Sequence, residues 1–190
     1  MSPQLYRRAV TAALLDDRGD LLVVAGLGAP NWDVTAVDDH ALTFPLWGAM
    51  GGAAMVGLGL ALAQPDRRVL VVTGDGEALM GMTALATIGV AAPGNLGIAV
   101  LDNERYGETG MQPTATASGV DLAAIAAACG FAGTALVRTD DEIAACVELL
   151  RRGPGPSLVV FKVAPDTPPQ AVPSRDGVHL VERFRSALGF

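Results

Sequence analysis

A chain of 190 residues, 51% hydrophobic and only 17% charged, can build one sizeable core and is too apolar to stay unfolded. Its net charge of −7 excludes nucleic acid and anionic membrane surfaces as partners, since neither is bound without a basic face. Two cysteines, Cys129 and Cys146, lie in separate predicted helices; they are too few for an iron–sulfur site and read as small buried hydrophobes. With no basic stretch leading into an apolar one at the N-terminus, the expected location is the cytoplasm.

In chain order, Tyr6 to Leu15 predicts a helix with Arg7 and Arg8 facing solvent, and Asp16 to Asp20 a turn. The continuous apolar run Leu21 to Ala25 predicts a fully buried strand, ending at the glycine-rich turn Gly26-Leu27-Gly28. Ala29 to Pro45 reads as a loop holding Pro30, Trp32, Asp38, Asp39 and His40. His40 titrates in the right range for a general base, but a lone histidine in an acidic loop is more commonly a solvated residue. From Ala41 to Ala63 there is no charged residue, which is long enough to span a bilayer. Pro45 and the many glycines and alanines make a buried helix of a soluble protein the better reading, entered through Leu46-Trp47-Gly48-Ala49-Met50-Gly51-Gly52.

After the polar turn Gln64 to Arg68, the apolar run Val69 to Thr73 stops at Gly74-Asp75-Gly76-Glu77. A helical segment from about Ala78 to Ala91 follows, and a second run, Leu96 to Leu101, ends at Asp102-Asn103. Both strands thus close on oxygen-bearing side chains, and in a parallel sheet such ends lie side by side where ligands bind. The glycines allow a tight turn that presents backbone N–H groups to a phosphate. Asp75 and Asn103 offer the hard oxygens that suit Mg²⁺. The residues by themselves therefore predict a metal–diphosphate site.

The remainder alternates similarly. Glu104 to Thr114 has glycines and no periodicity, so it predicts an irregular loop beside the site. Val120 to Cys129 predicts a helix stopped by Gly130, Thr134 to Arg138 a strand, and Asp140 the cap of a helix running to Arg152. Ser157 to Val163 predicts a buried strand carrying Lys162, the only lysine, for which nothing argues a Schiff-base role. Pro165 to Pro173 is a proline-rich connector, and Asp176 to Leu188 an amphipathic helix. The pattern predicts a single α/β domain over 1–190, a three-layer open, mainly parallel sheet with helices on both faces. No Gly-x-Gly-x-x-Gly with a following acid argues for a dinucleotide site.

Gly74-Asp75-Gly76, 26 further residues and then Asn103 resemble the cofactor motif of the decarboxylase-type thiamine diphosphate (ThDP) enzymes. The second strand of that family usually ends in Asn-Asn, whereas here it ends in Asp102-Asn103. The run Tyr-Gly-Glu-Thr-Gly-Met-Gln-Pro-Thr after Arg105 makes the resemblance closest to the diphosphate-binding half of phosphonopyruvate and sulfopyruvate decarboxylases. The resemblance implies Mg²⁺ held by Asp75, Asn103 and the carbonyl of Arg105. It also implies cofactor contacts from Gly26, Gly28, Gly48, Met50, Gly74, Gly76, Glu77, Tyr106, Gly107 and Glu108. Met50 would wedge the cofactor into its bent shape, and the Gly48 carbonyl would accept from the aminopyrimidine. Glu108 and Thr109 would stand near the thiazolium, with Arg105 or Gln112 toward an anionic group of a small 2-oxo acid.

In that family a glutamate on a separate pyrimidine-binding domain activates the cofactor, and 190 residues leave no room for such a domain. The expectation is one subunit of a split enzyme, paired with an alpha-type partner in a hetero-oligomer holding at least two copies of each chain. A carboligase of acetolactate synthase type, a subunit of a 2-oxo acid oxidoreductase and a non-catalytic ThDP-binding subunit are the alternatives.

Overall fold

The computed structural model describes residues 5–190. Among these, six strands form one parallel sheet, in the order β2-β1-β3-β4-β8-β7. They are β1 (Leu22–Ala25), β2 (Thr43–Pro45), β3 (Val69–Gly74), β4 (Leu96–Asp102), β7 (Gly133–Val137) and β8 (Ser157–Lys162). Strands β1, β3, β4 and β8 are almost wholly buried, as their unbroken apolar runs require when both faces are covered. On one face pack α3 (Ala53–Ala63), α5 (Ala84–Ala91), α6 (Leu122–Ala128) and α8 (Gly177–Leu188). On the other pack α1 (Arg7–Leu15), α2 (Ala29–Val37) and α7 (Asp140–Arg152). The three-layer open sheet is the architecture the sequence predicts.

The order of the strands positions the site. From β1 the chain moves outward through α2 to β2, then returns over the opposite face through α3 to β3 on the other side of β1. The helices leaving β1 and β3 therefore diverge, opening a crevice at the carboxyl ends of these strands. Strands β3 and β4 pair with Gly74 opposite Leu101, which sets Asp75 beside Asp102 and Asn103.

Several elements differ from expectation. The stretch Ala29 to Pro45 is not a loop but α2 followed by the short edge strand β2. Pro30 sits in the first turn of α2, where its missing N–H has no helical partner to lose, so a residue expected in a loop starts a helix. The helix expected from Ala78 begins at Asp75, inside the motif, as α4 (Asp75–Met80), and breaks before α5. The loop after Asn103 is partly regular, with β5 (Arg105–Tyr106) and β6 (Gln112–Pro113) pairing antiparallel before a 3₁₀ turn over Ala115–Ser118. Thr139, not Asp140, caps α7: its N–H and hydroxyl both donate to Glu142.

Two expectations about burial also fail. Arg7 is not solvated but 5% exposed, because its guanidinium pairs with the fully buried Asp33 and with Asp166. Helix α3 buries Ala53, Gly57, Leu58 and Ala61 against the sheet but leaves Met55, Val56 and Leu62 exposed. No helix among the described residues is long and apolar enough to cross a membrane.

Candidate cofactor site

The crevice is lined by the turn after β1 (Leu27, Ala29, Pro30), the turn after β3 (Gly74, Asp75, Gly76, Glu77) and the loop after β4 (Asn103, Arg105, Tyr106, Gly107, Glu108, Thr109). Met50 closes one side, and Arg7, Leu101 and Val163 close another. Eleven of the residues singled out as site candidates from sequence thus reach one cleft, from segments as far apart as Met50 and Thr109. Gly26, Gly28, Gly48 and Gln112 are not part of its lining.

Asp75 is 2% exposed, and its carboxylate accepts from Thr114 Oγ1 at 2.6 Å and from Thr116 Oγ1 at 3.4 Å. Burial raises its pKa to about 6 from an ordinary 3.8; the Thr114 hydrogen bond opposes this, and the nearby Asp102 adds to it. Among the described residues no ion pair involves Asp75. A desolvated carboxylate held by hydroxyls and amides, with a second acid beside it and no cationic side chain, is suited to a divalent cation. Asn103 Oδ1 accepts from its own loop at Arg105 N (3.0 Å), folding the backbone so that Asn103 and Arg105 stand at the same rim. No cluster of three or more His, Cys, Asp or Glu side chains among the described residues could hold a metal. A cation here would need the mixed carboxylate, amide and carbonyl oxygens that Asp75, Asn103 and Arg105 offer.

Glu77, which lines the cleft, also braces it. Its carboxylate accepts from Leu27 N at 3.0 Å, Thr73 Oγ1 at 2.8 Å and Ala53 N at 3.4 Å, tying the β1 turn, β3 and the start of α3 together. Burial pushes its pKa up. Gly26 is the room this brace needs, since a Cβ there would lie 2.0 Å from Glu77 Oε2. Gly76 is constrained likewise: a Cβ would approach the Tyr106 ring to 2.6 Å, with Met50 Cε at 3.6 Å. Gly48 has φ +81 and nothing within 4 Å of a built Cβ.

Sequence reasoning missed a buried network behind Asp75. Thr116 Oγ1 donates to Asp102 Oδ1 at 2.8 Å, and Lys162 Nζ donates to Asp102 Oδ2 at 2.8 Å while pairing with Glu104 at 2.5 Å. The lone lysine is thus the counter-ion of the position where this chain departs from Asn-Asn. The available signal was the pairing of an acid for an amide at 102 with a lysine ending the neighbouring strand; register alone makes them opposite. Trp32 was passed over as well; it packs on Trp47 with ring centroids 5.5 Å apart. His40 lies outside the cleft, where its Nδ1 accepts from Leu42 N.

Known proteins show the same arrangement of sequence. Residues 28–161 match the family described as thiamine pyrophosphate enzyme, C-terminal TPP binding domain. The chain is similar to the phosphonopyruvate decarboxylase of Streptomyces viridochromogenes, 42% identical over 146 residues, covering 77% of this chain and 36% of that protein. It is similar to the sulfopyruvate decarboxylase subunit beta of Methanothermobacter thermautotrophicus, 39% identical over 168 residues, covering 87% of this chain and 85% of that one. The chain thus spans about a third of the first relative's length and most of the second's. Its fold resembles the X-ray structure of a Mycobacterium smegmatis protein assigned as a thiamin diphosphate-dependent enzyme, with TM-score 0.73 and 25% identity over 86% of this chain and 32% of that one.

Proposed function

Because the chain belongs to the thiamine pyrophosphate enzymes through their C-terminal TPP binding domain, we propose that it is the ThDP- and Mg²⁺-binding subunit of a split 2-oxo acid decarboxylase. Its substrate class is that of phosphonopyruvate or sulfopyruvate, and it acts with a separate pyrimidine-binding subunit. The observation that carries this reading is the convergence of Asp75 and Asn103 on adjoining strand ends in one cleft.

Bound there, thiamine diphosphate supplies the electron sink for the electrons left when CO₂ departs. The chain's own residues bind and orient. Asp75, Asn103 and the Arg105 carbonyl would hold Mg²⁺, with Thr114 and Thr116 fixing the Asp75 carboxylate from behind. The close fit of Gly76, Tyr106 and Met50 shapes the cleft floor. Glu77 holds the two strand-end turns at fixed separation, so the phosphate-facing backbone is set before any ligand arrives.

Two features support a partner chain. The cleft holds about 70 Å³, well under the roughly 300 Å³ at which small-molecule sites begin, as expected of a half-site missing a wall. Beside its Met50 wall, Met55 and Met80 form an exposed apolar face of the kind that marks a protein interface. Relatives named as subunit beta point the same way. Native mass spectrometry of the complex from its source tests the reading. A second, different chain with ThDP and Mg²⁺ is expected, and decarboxylation of a 2-oxo acid at enzymatic rates by this chain alone would refute the split arrangement.

A further inference from the structure

One carboxylate in the cleft serves neither the cation nor the brace. Glu108, on the tip between β5 and β6, lies directly over Gly28 at the entry to α2. A Cβ built on Gly28 would come within 2.7 Å of Glu108 Cγ and 2.8 Å of its Oε1. The same Oε1 accepts from Trp32 Nε1 at 3.4 Å, one turn further along α2. Gly28 has φ +78, so both its conformation and its missing side chain make this seat possible. Among the described residues no ion pair includes Glu108. It is therefore a negative group resting, without a cation, over the Gly26-Leu27-Gly28 turn, whose neighbours Leu27 and Ala29 line the cleft and which in the resembled family helps hold the terminal phosphate of the cofactor. Two like charges cannot share that place without cost.

We propose that Glu108 is a displaceable gate on the diphosphate end of the cleft, seated on Gly28 and Trp32 and expelled by the incoming anion. Resting on the cofactor reading above, the gate makes loading and loop position one event. The diphosphate takes the space over Gly28, Glu108 swings away with the β5–β6 loop, and Trp32 loses its acceptor. The residue is a positioning residue for that loop, and its charge holds down the affinity for the cofactor.

The test is titration of the full chain with ThDP at saturating Mg²⁺, read by heat of binding and by tryptophan emission. Trp32 and Trp47 are the chain's two tryptophans, so Trp47→Phe leaves Trp32 as sole reporter. In that background ThDP is expected to change the Trp32 emission. Glu108→Ala is expected to bind roughly tenfold tighter, the scale of removing one partly screened like charge. Its emission without ThDP should already match that of the loaded parent. Glu108→Gln, which keeps the acceptor but not the charge, should fall between. A structural lesion lowers affinity, and a fixed like charge would raise it without changing the Trp32 emission; the gate requires both changes together. Unchanged or weaker binding by both variants, or a Trp32 signal indifferent to ThDP, overturns the gate. Failure of the parent chain and both variants to bind ThDP with Mg²⁺, both alone and in the complex isolated from its source, overturns the cofactor reading, and the gate with it.

Discussion

Replacing Asp75 by asparagine should stabilise the metal-free chain at neutral pH while abolishing its response to Mg²⁺. In the fold this carboxyl keeps its proton up to about pH 6, against an ordinary 3.8, chiefly because it is buried. The folded state therefore binds more protons than the unfolded state between these values, and stability falls as pH rises through the interval. At 1.36 kcal/mol per pKa unit, ionised Asp75 costs about 3 kcal/mol by pH 7.5. Asparagine removes that cost and keeps an oxygen for Thr114, but its amide brings donors that must be satisfied, at about 1 kcal/mol. The net expectation is a gain of about 2 kcal/mol, or roughly 4–8 °C in Tm for a chain of this size. The assay is thermal and urea unfolding of both proteins in EDTA at pH 4, 5.5 and 7.5, then with Mg²⁺ and ThDP. Near pH 4, where the folded carboxyl is protonated, the gain should be lost and the amide cost should leave Asp75→Asn level with its parent or slightly below it. With ligand at pH 7.5 the parent should gain stability and Asp75→Asn should not. A variant that is less stable than its parent at pH 7.5 in EDTA, with no trend in pH, would refute the reasoning. It would mean that Thr114, Thr116 and the turn amides already compensate the charge.

Two further outcomes follow from packing. Gly89→Ala lies within α5, where such a change normally stabilises, but a Cβ there would lie 1.7 Å from the Cys129 carbonyl oxygen. Urea unfolding should therefore show a loss of about 2 kcal/mol or more instead of a gain. Lys162→Met should cost about 3–5 kcal/mol, since it strands the buried Asp102 carboxylate. The double variant with Asp102→Asn should recover most of that loss, and additive costs in the cycle would show the pair is not coupled.

Much of the fold is written locally. The apolar runs from Leu21, Val69, Leu96 and Ser157 mark β1, β3, β4 and β8, because strands covered on both faces need no polar alternation. Gly-Asp-Gly and Asp-Asn mark where two of them stop, and the spacing between those stops identifies the cofactor family before any coordinates. What misled was local chemistry with two uses. Pro30 and Asn31 resemble turn formers, yet one starts α2 and the other is buried and donates to the Leu46 carbonyl at 2.6 Å.

Tertiary structure alone decided which charges meet. Nothing near Arg7 in sequence reveals Asp33 or Asp166, nor does anything near Asp102 reveal Lys162, 60 residues away. Glu108 and Gly28 likewise become neighbours only when two loops close over the same strand ends. Backbone periodicity and turn chemistry act over a few residues and are legible in the chain. Burial of a charge depends on its distant partners, so the counter-ions, the strained acid at Asp75 and the carboxylate over Gly28 emerge only from the assembled sheet.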